Sequence, residues 1–119
     1  MIQDNFNTWL DKIIRTEIPD KDIIAYYFGI FESTDGYITY LTGSKEFDET
    51  DSDWACNTDF VPKDKYLNLG QTGMNWEAIL EQTKTLIQNF KQSPTFKNSF
   101  LDKAKIATGF DDGELIVIE

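Results

Sequence analysis

The densest chemistry in the chain is carboxylate. Glu46, Asp48, Glu49, Asp51 and Asp53 alternate with Phe47 and Trp54, Asp59 follows, and Lys45 is the one base between positions 44 and 60. Like charges packed this closely repel one another, so the stretch raises three readings. It is a solvated loop, a docking surface that steers a basic partner, or a divalent-cation site built from hard oxygen ligands. Spacing tests the last. Glu49, Asp51 and Asp53 alternate like the first half of a calcium loop, but the sixth position is Trp54, where glycine is needed, and the twelfth is Phe60, where a bidentate glutamate belongs. It is not an EF-hand, and no metal or cofactor is assigned.

In the docking reading Trp54 is the aromatic anchor ringed by acids, a pattern common at interaction hot spots. In the competing reading Trp54, with Ala55 and Cys56 behind it, pins the loop to the core. A second acidic group, Asp111, Asp112 and Glu114 around Gly113, has the Asp-Gly chemistry of a hairpin turn. If that turn lies at the same end of the sheet as the 44–60 loop, both sets of carboxylates share one rim. Paired carboxylates can do acid and base work, yet nothing in the sequence supplies a separate substrate cleft. Histidine is absent, which removes the usual proton shuttle and nucleophile activator. Cys56 accordingly reads as a small buried hydrophobe. Gly70 and Gly73 lack the lysine and hydroxyl that would make a phosphate loop.

The elements that must position these groups begin with 23–43. Ile24, Tyr26, Phe28 and Ile30 alternate with Ile23, Ala25, Tyr27 and Phe31, and a turn at 33–36 precedes a second run with Ile38 and Tyr40 against Tyr37, Thr39 and Leu41. This is an antiparallel hairpin whose first strand, apolar on both faces, must be central and covered by helices. Ahead of it, Phe6, Trp9, Leu10, Ile13, Ile14 and Ile18 form one stripe of a helix over 2–18. Residues 44–65 read as a long ordered loop, a type that is often functional, and 66–69 as a third strand. Asn75 caps a helix with Trp76, Ile79, Leu80, Thr83, Leu86, Ile87 and Phe90 inward. Ser93 and Pro94 open another, with Phe96, Phe100, Leu101, Ala104 and Ala107 inward and Gly109 as its stop. Residues 114–119 form a last strand. The order α-β-β-β-α-α-β predicts a single α+β domain over 1–119, with an antiparallel or mixed sheet of four to five strands against three helices.

Twenty-one acidic against eleven basic residues give a charge of −10, the wrong sign for unassisted binding to nucleic acid or anionic membrane, and the right one for a basic partner. A single cysteine excludes an internal disulfide and fits a reducing compartment. The opening MIQDNFNTWLDKII lacks the pattern of a secretory signal, and no run approaches the ~18 apolar residues of a membrane span. The expectation is a cytoplasmic protein.

With the segments DSDWACNTDFVPK and TGFDDGELIVIE, the chain resembles the small acidic immunity and immunity-like proteins of bacterial polymorphic toxin systems. The resemblance implies a protein that binds a cognate toxin and blocks it without chemistry, its acidic face meeting a basic surface such as a nuclease's. The partner-binding residues expected from the acid and aromatic pattern are Glu46, Asp48, Glu49, Asp51, Asp53 and Trp54, with Asp111 and Asp112 as outliers. The rivals are a divalent-cation-binding or metal-stabilised protein using the 46–53 loop, and a structural subunit without ligand that self-associates through an edge strand.

Overall fold

In the computed structural model, which describes residues 2–34, 36–70, 73–111 and 113–118, the chain is an α+β domain with one mixed five-stranded sheet and three helices. Strands β1 (Ala25–Ser33) and β2 (Gly36–Ser44) pair antiparallel from Ala25↔Ser44 to Ser33↔Gly36. This is the hairpin expected from the two-sided apolar pattern, and β1 is the middle strand. The full order is β3-β2-β1-β4-β5, with β3 at Tyr66–Asn68, β4 at Lys105–Phe110 and β5 at Ile116–Ile118. Gly36 lies at φ +125, and a side chain there would collide with the carbonyl of Gly70, so only glycine closes this end of the hairpin. The neighbouring Asp35 falls outside the described residues.

Helices α1 (Ile2–Thr16) and α2 (Trp76–Lys91) lie on one face of the sheet, where Phe6, Leu10, Ile13, Ile79 and Leu86 bury against Tyr26, Phe28, Ile30, Leu41 and Ile106. Two threonines buried in this layer are satisfied by the sheet's own carbonyls, Thr39 Oγ1 donating to Gly29 at 2.9 Å and Thr108 Oγ1 to Phe28 at 2.7 Å. The opposite face carries Ala25, Tyr27 and Ala107, roofed by the chain that follows β2.

Four expectations are corrected. The last helix does not run to Gly109: α3 spans Pro94–Lys97 only, and the chain passes through turns into β4. The residues Ile106, Thr108 and Phe110 favour a strand, and a central β1 apolar on both faces needs a neighbour on each side. Strand β4 supplies the second, pairing parallel to it from Ala25↔Lys105 to Ile30↔Phe110. Ile18 lies beyond the end of α1 and is exposed. Trp76, assigned to the inward stripe, is the first residue of α2 and stands edge-on to Phe110 at the end of β4, 57% exposed. Cys56 is exposed, not buried. Among the described residues no helix is long and apolar enough to cross a membrane.

Candidate functional site

The acidic loop spends much of its carboxylate chemistry on its own backbone. Asp48 accepts from the amide and hydroxyl of Thr50 at 2.8 and 2.9 Å, and these bonds hold its pKa below the ordinary carboxylate value. Asp51 caps the short 3-10 helix at Ser52–Cys56, accepting from the amide of Asp53 at 3.0 Å. Asp59 accepts from the amide of Lys45, and Glu46 from the side-chain amide of Asn57. Glu49 and Asp53 stand exposed. Among the described residues no group of three histidine, cysteine or carboxylate side chains is placed to hold a metal ion. The loop is therefore shaped by turn-forming acids, which explains much of the charge density without a ligand.

Trp54 is 3% exposed. It packs with Tyr27, Ala25 and Ala107 beneath the loop, its ring 5.2 Å from that of Phe47. Its expected role as the aromatic seated in a partner is corrected accordingly: the small residues of β1 and β4 leave a recess on the second face of the sheet, and Trp54 fills it. It borders a hollow lined by Glu46, Asp48, Asp51 and Asp53, but at this burial it offers a partner almost no surface of its own.

The 46–53 carboxylates and Asp111 do not line a common hollow, although Ser52, Ala55, Cys56 and Thr58 of the loop fold back beside Asp111 and Gly113. Strand β2 ends at Ser44 beside the start of β1, whereas β4 ends at Phe110 beside Ile30, near the far end of β1, so loop and turn leave opposite ends of the sheet. Asp111 is thereby separated from the origin of the 46–53 acids. It accepts a hydrogen bond from the hydroxyl of Tyr40. Asp112 lies outside the described residues.

At the Asp111 end the fold assembles a site with little local signature. Between the start of α2 and the strand ends is a cleft of about 840 Å³. Tyr37 and Phe110 form its apolar floor with Ile30, Leu80 and Ile116, and Trp76 stands at its wall, edge-on to Phe110 with centroids 6.3 Å apart. Asn75 fixes the wall by capping α2, its side chain accepting from Ala78 at 2.9 Å. The charged residues lining the cleft are Glu32, Asp111 and Glu114, with no lysine or arginine among the described residues there. Its one sequence signal was a tryptophan at the first position of a capped helix, ahead of where the sheet can cover it.

A smaller hollow on the second face has Tyr27, Tyr40 and Tyr66 as its floor, with the Lys65 ammonium 5.1 Å from the ring centroids of both Tyr40 and Tyr66. Tyr27 donates to the carbonyl of Gly109 at 2.9 Å. Burial pushes the phenol of Tyr27 well above its ordinary pKa, with smaller contributions from Asp111 and Cys56. Burial raises Tyr40 likewise, followed by its bond to Asp111. A raised pKa favours the neutral phenol, the form in which Tyr27 donates to Gly109 and Tyr40 to Asp111.

Comparison with known proteins finds no matching family model, no matching curated protein and no matching solved structure.

Proposed function

We propose that the protein is a non-catalytic acidic binding protein of the immunity type, which occludes a basic protein partner such as a toxin, and that it grips this partner at the cleft beside Trp76. One observation carries the reading: a large aromatic, 57% exposed, stands in an apolar cleft whose charged lining is Glu32, Asp111 and Glu114. A single exposed apolar side chain is ordinary on a protein surface, but an aromatic set in an apolar cleft with a polar rim is the arrangement in which binding energy concentrates. The carboxylates select lysine or arginine on the partner. The net charge of −10, to which Glu46, Asp48, Glu49, Asp51 and Asp53 contribute, steers the encounter. Charge then sets the association rate, and the contact at Trp76 the residence time. The exposed cysteine, alone in the chain, fits a reducing cytoplasm.

The test is capture from the source cell on immobilised protein. Wild type should retain a basic protein that salt releases, a Trp76→Ala, Glu32→Gln, Glu114→Gln variant should lose it, and a Glu49→Gln, Asp53→Asn variant should keep it. Equal retention by all three refutes the cleft as the binding site.

A further inference from the structure

Resting on that reading, we propose that the partner engages the protein by adding a β-strand to the outer edge of β5, through an extended segment that alternates apolar and basic residues.

A five-stranded sheet has two edges, here β3 and β5. The β3 edge is blunted. Like β5 it is three residues long; it follows the charged Asp64 and Lys65 and ends where the Asn68 side chain accepts from the amide of Gly70 at 2.8 Å. Edges of this kind resist further pairing. The β5 edge is equally short and follows Glu114, but Leu115, Ile116, Val117 and Ile118 carry no charge, proline or glycine, and Ile116 lines the cleft, which no residue of β3 does.

The register fixes which backbone groups β5 presents outward. Lys105 donates to the carbonyl of Ile24 and Asp111 to that of Ile30, so the odd-numbered residues of β4 bond toward β1 and the even-numbered ones toward β5. Ile106 and Thr108 are therefore the hydrogen-bonded partners of Ile118 and Ile116, and Ala107 faces Val117 across a non-bonded pair. The amide and carbonyl of Val117, and by the same alternation those of Leu115, point away from the sheet. No backbone hydrogen bond from another segment reaches either residue among the described residues.

An added strand would place alternate side chains on the two faces of the sheet. On the helix face they lie beside Ile116, which lines the cleft together with Trp76 and Glu114. The unpaired edge and the acidic cleft are thus one continuous surface. Charge chooses the occupant. A second copy would bring another −10 and its own Glu114 to the seam, whereas a basic extended segment gains on both counts.

The experiment uses the full chain, isotopically labelled, and a capped eight-residue peptide of alternating valine and lysine as probe. In the free protein the Leu115 and Val117 amides should exchange rapidly with solvent. Saturating peptide should slow both by about tenfold or more. A peptide N-methylated at alternate residues, and one with glutamate in place of lysine, should leave them fast. Val117→Pro, which removes the outward amide, should weaken peptide binding about tenfold; if that variant misfolds, the methylated peptide still decides. If the probe perturbs Trp76 while both amides stay fast, strand addition is overturned and the cleft reading stands. If the probe protects the amides without touching Trp76, the cleft reading fails and the edge stands. If both amides are already protected in free protein that sediments as a dimer, the occupant is a second copy and the proposal is wrong.

Discussion

Replacing Trp54 by alanine should destabilise the domain by about 3 kcal/mol. The residue is 3% exposed and sits over Ala25, Tyr27 and Ala107. Burying an indole removes roughly 150–250 Å² from water, worth roughly 4–6 kcal/mol at about 25 cal/mol per Å². Against this, Nε1 of Trp54 is buried without a hydrogen-bond partner among the described residues, a cost of about 1–3 kcal/mol that truncation relieves. The difference centres near 3 kcal/mol, a large part of the roughly 5–15 kcal/mol that holds a domain folded. Trp54→Phe separates the two terms. It keeps a ring against Phe47 and drops the unpaired N–H, so it should cost under about 1.5 kcal/mol. Urea unfolding measures both: at constant slope the alanine midpoint should fall by about 1–3 M and the phenylalanine midpoint by less than half as much. If alanine leaves stability within about 0.5 kcal/mol of wild type, Trp54 is not a core residue and the assignment of the loop is wrong.

Three further outcomes follow from the same packing. A side chain on Gly29 would collide with the ring of Tyr40, whose hydroxyl is held by Asp111, so Gly29→Ala should cost about 1–3 kcal/mol in urea; an unchanged midpoint would mean that the ring is free to move. Burial raises the phenol pKa values of Tyr26 and Tyr27, which are 1% and 7% exposed. Stability should therefore hold below about pH 10, where unfolded tyrosines begin to ionise, and fall above it by up to about 3 kcal/mol per pH unit for the pair. A flat profile from pH 9 to about pH 11 would contradict their burial. Asp51→Ala should cost about 0.5–1 kcal/mol by removing the cap of the 3-10 helix, while Asp51→Asn, which keeps the accepting oxygen, should restore most of it; equal losses would point to the charge instead of the cap.

The hairpin of β1 and β2 was legible because its signal is local. Two-sided apolar alternation and the turn before Tyr37 specify both pairing and central position. Strand β4 was not. The positions Phe96, Phe100, Leu101, Ala104 and Ala107 fit a helical stripe, and what overrides them is parallel pairing with β1, some 80 residues earlier, which leaves no local mark. The two tryptophans exchange roles for the same reason. Trp54 is buried because Ala25 and Ala107, distant in sequence, leave room for it on the second face. Trp76 stays half exposed because at the first position of α2 it stands at the wall of an open cleft, with only the edge of Phe110 against it. The spacing of Asp48 with Thr50, and of Asp51 with Asp53, was readable as turn chemistry, and it accounts for much of the charge that drew attention to the loop.

The proposed binding surface is the Trp76 cleft and not the acidic loop. A photo-crosslinking benzoylphenylalanine placed at position 76 or at position 49, irradiated in the source cell, tests it directly. An adduct with a basic protein is expected from position 76 and none from position 49. An adduct from position 49 alone would return the binding surface to the loop, and the absence of an adduct at both would contradict a protein partner at either surface.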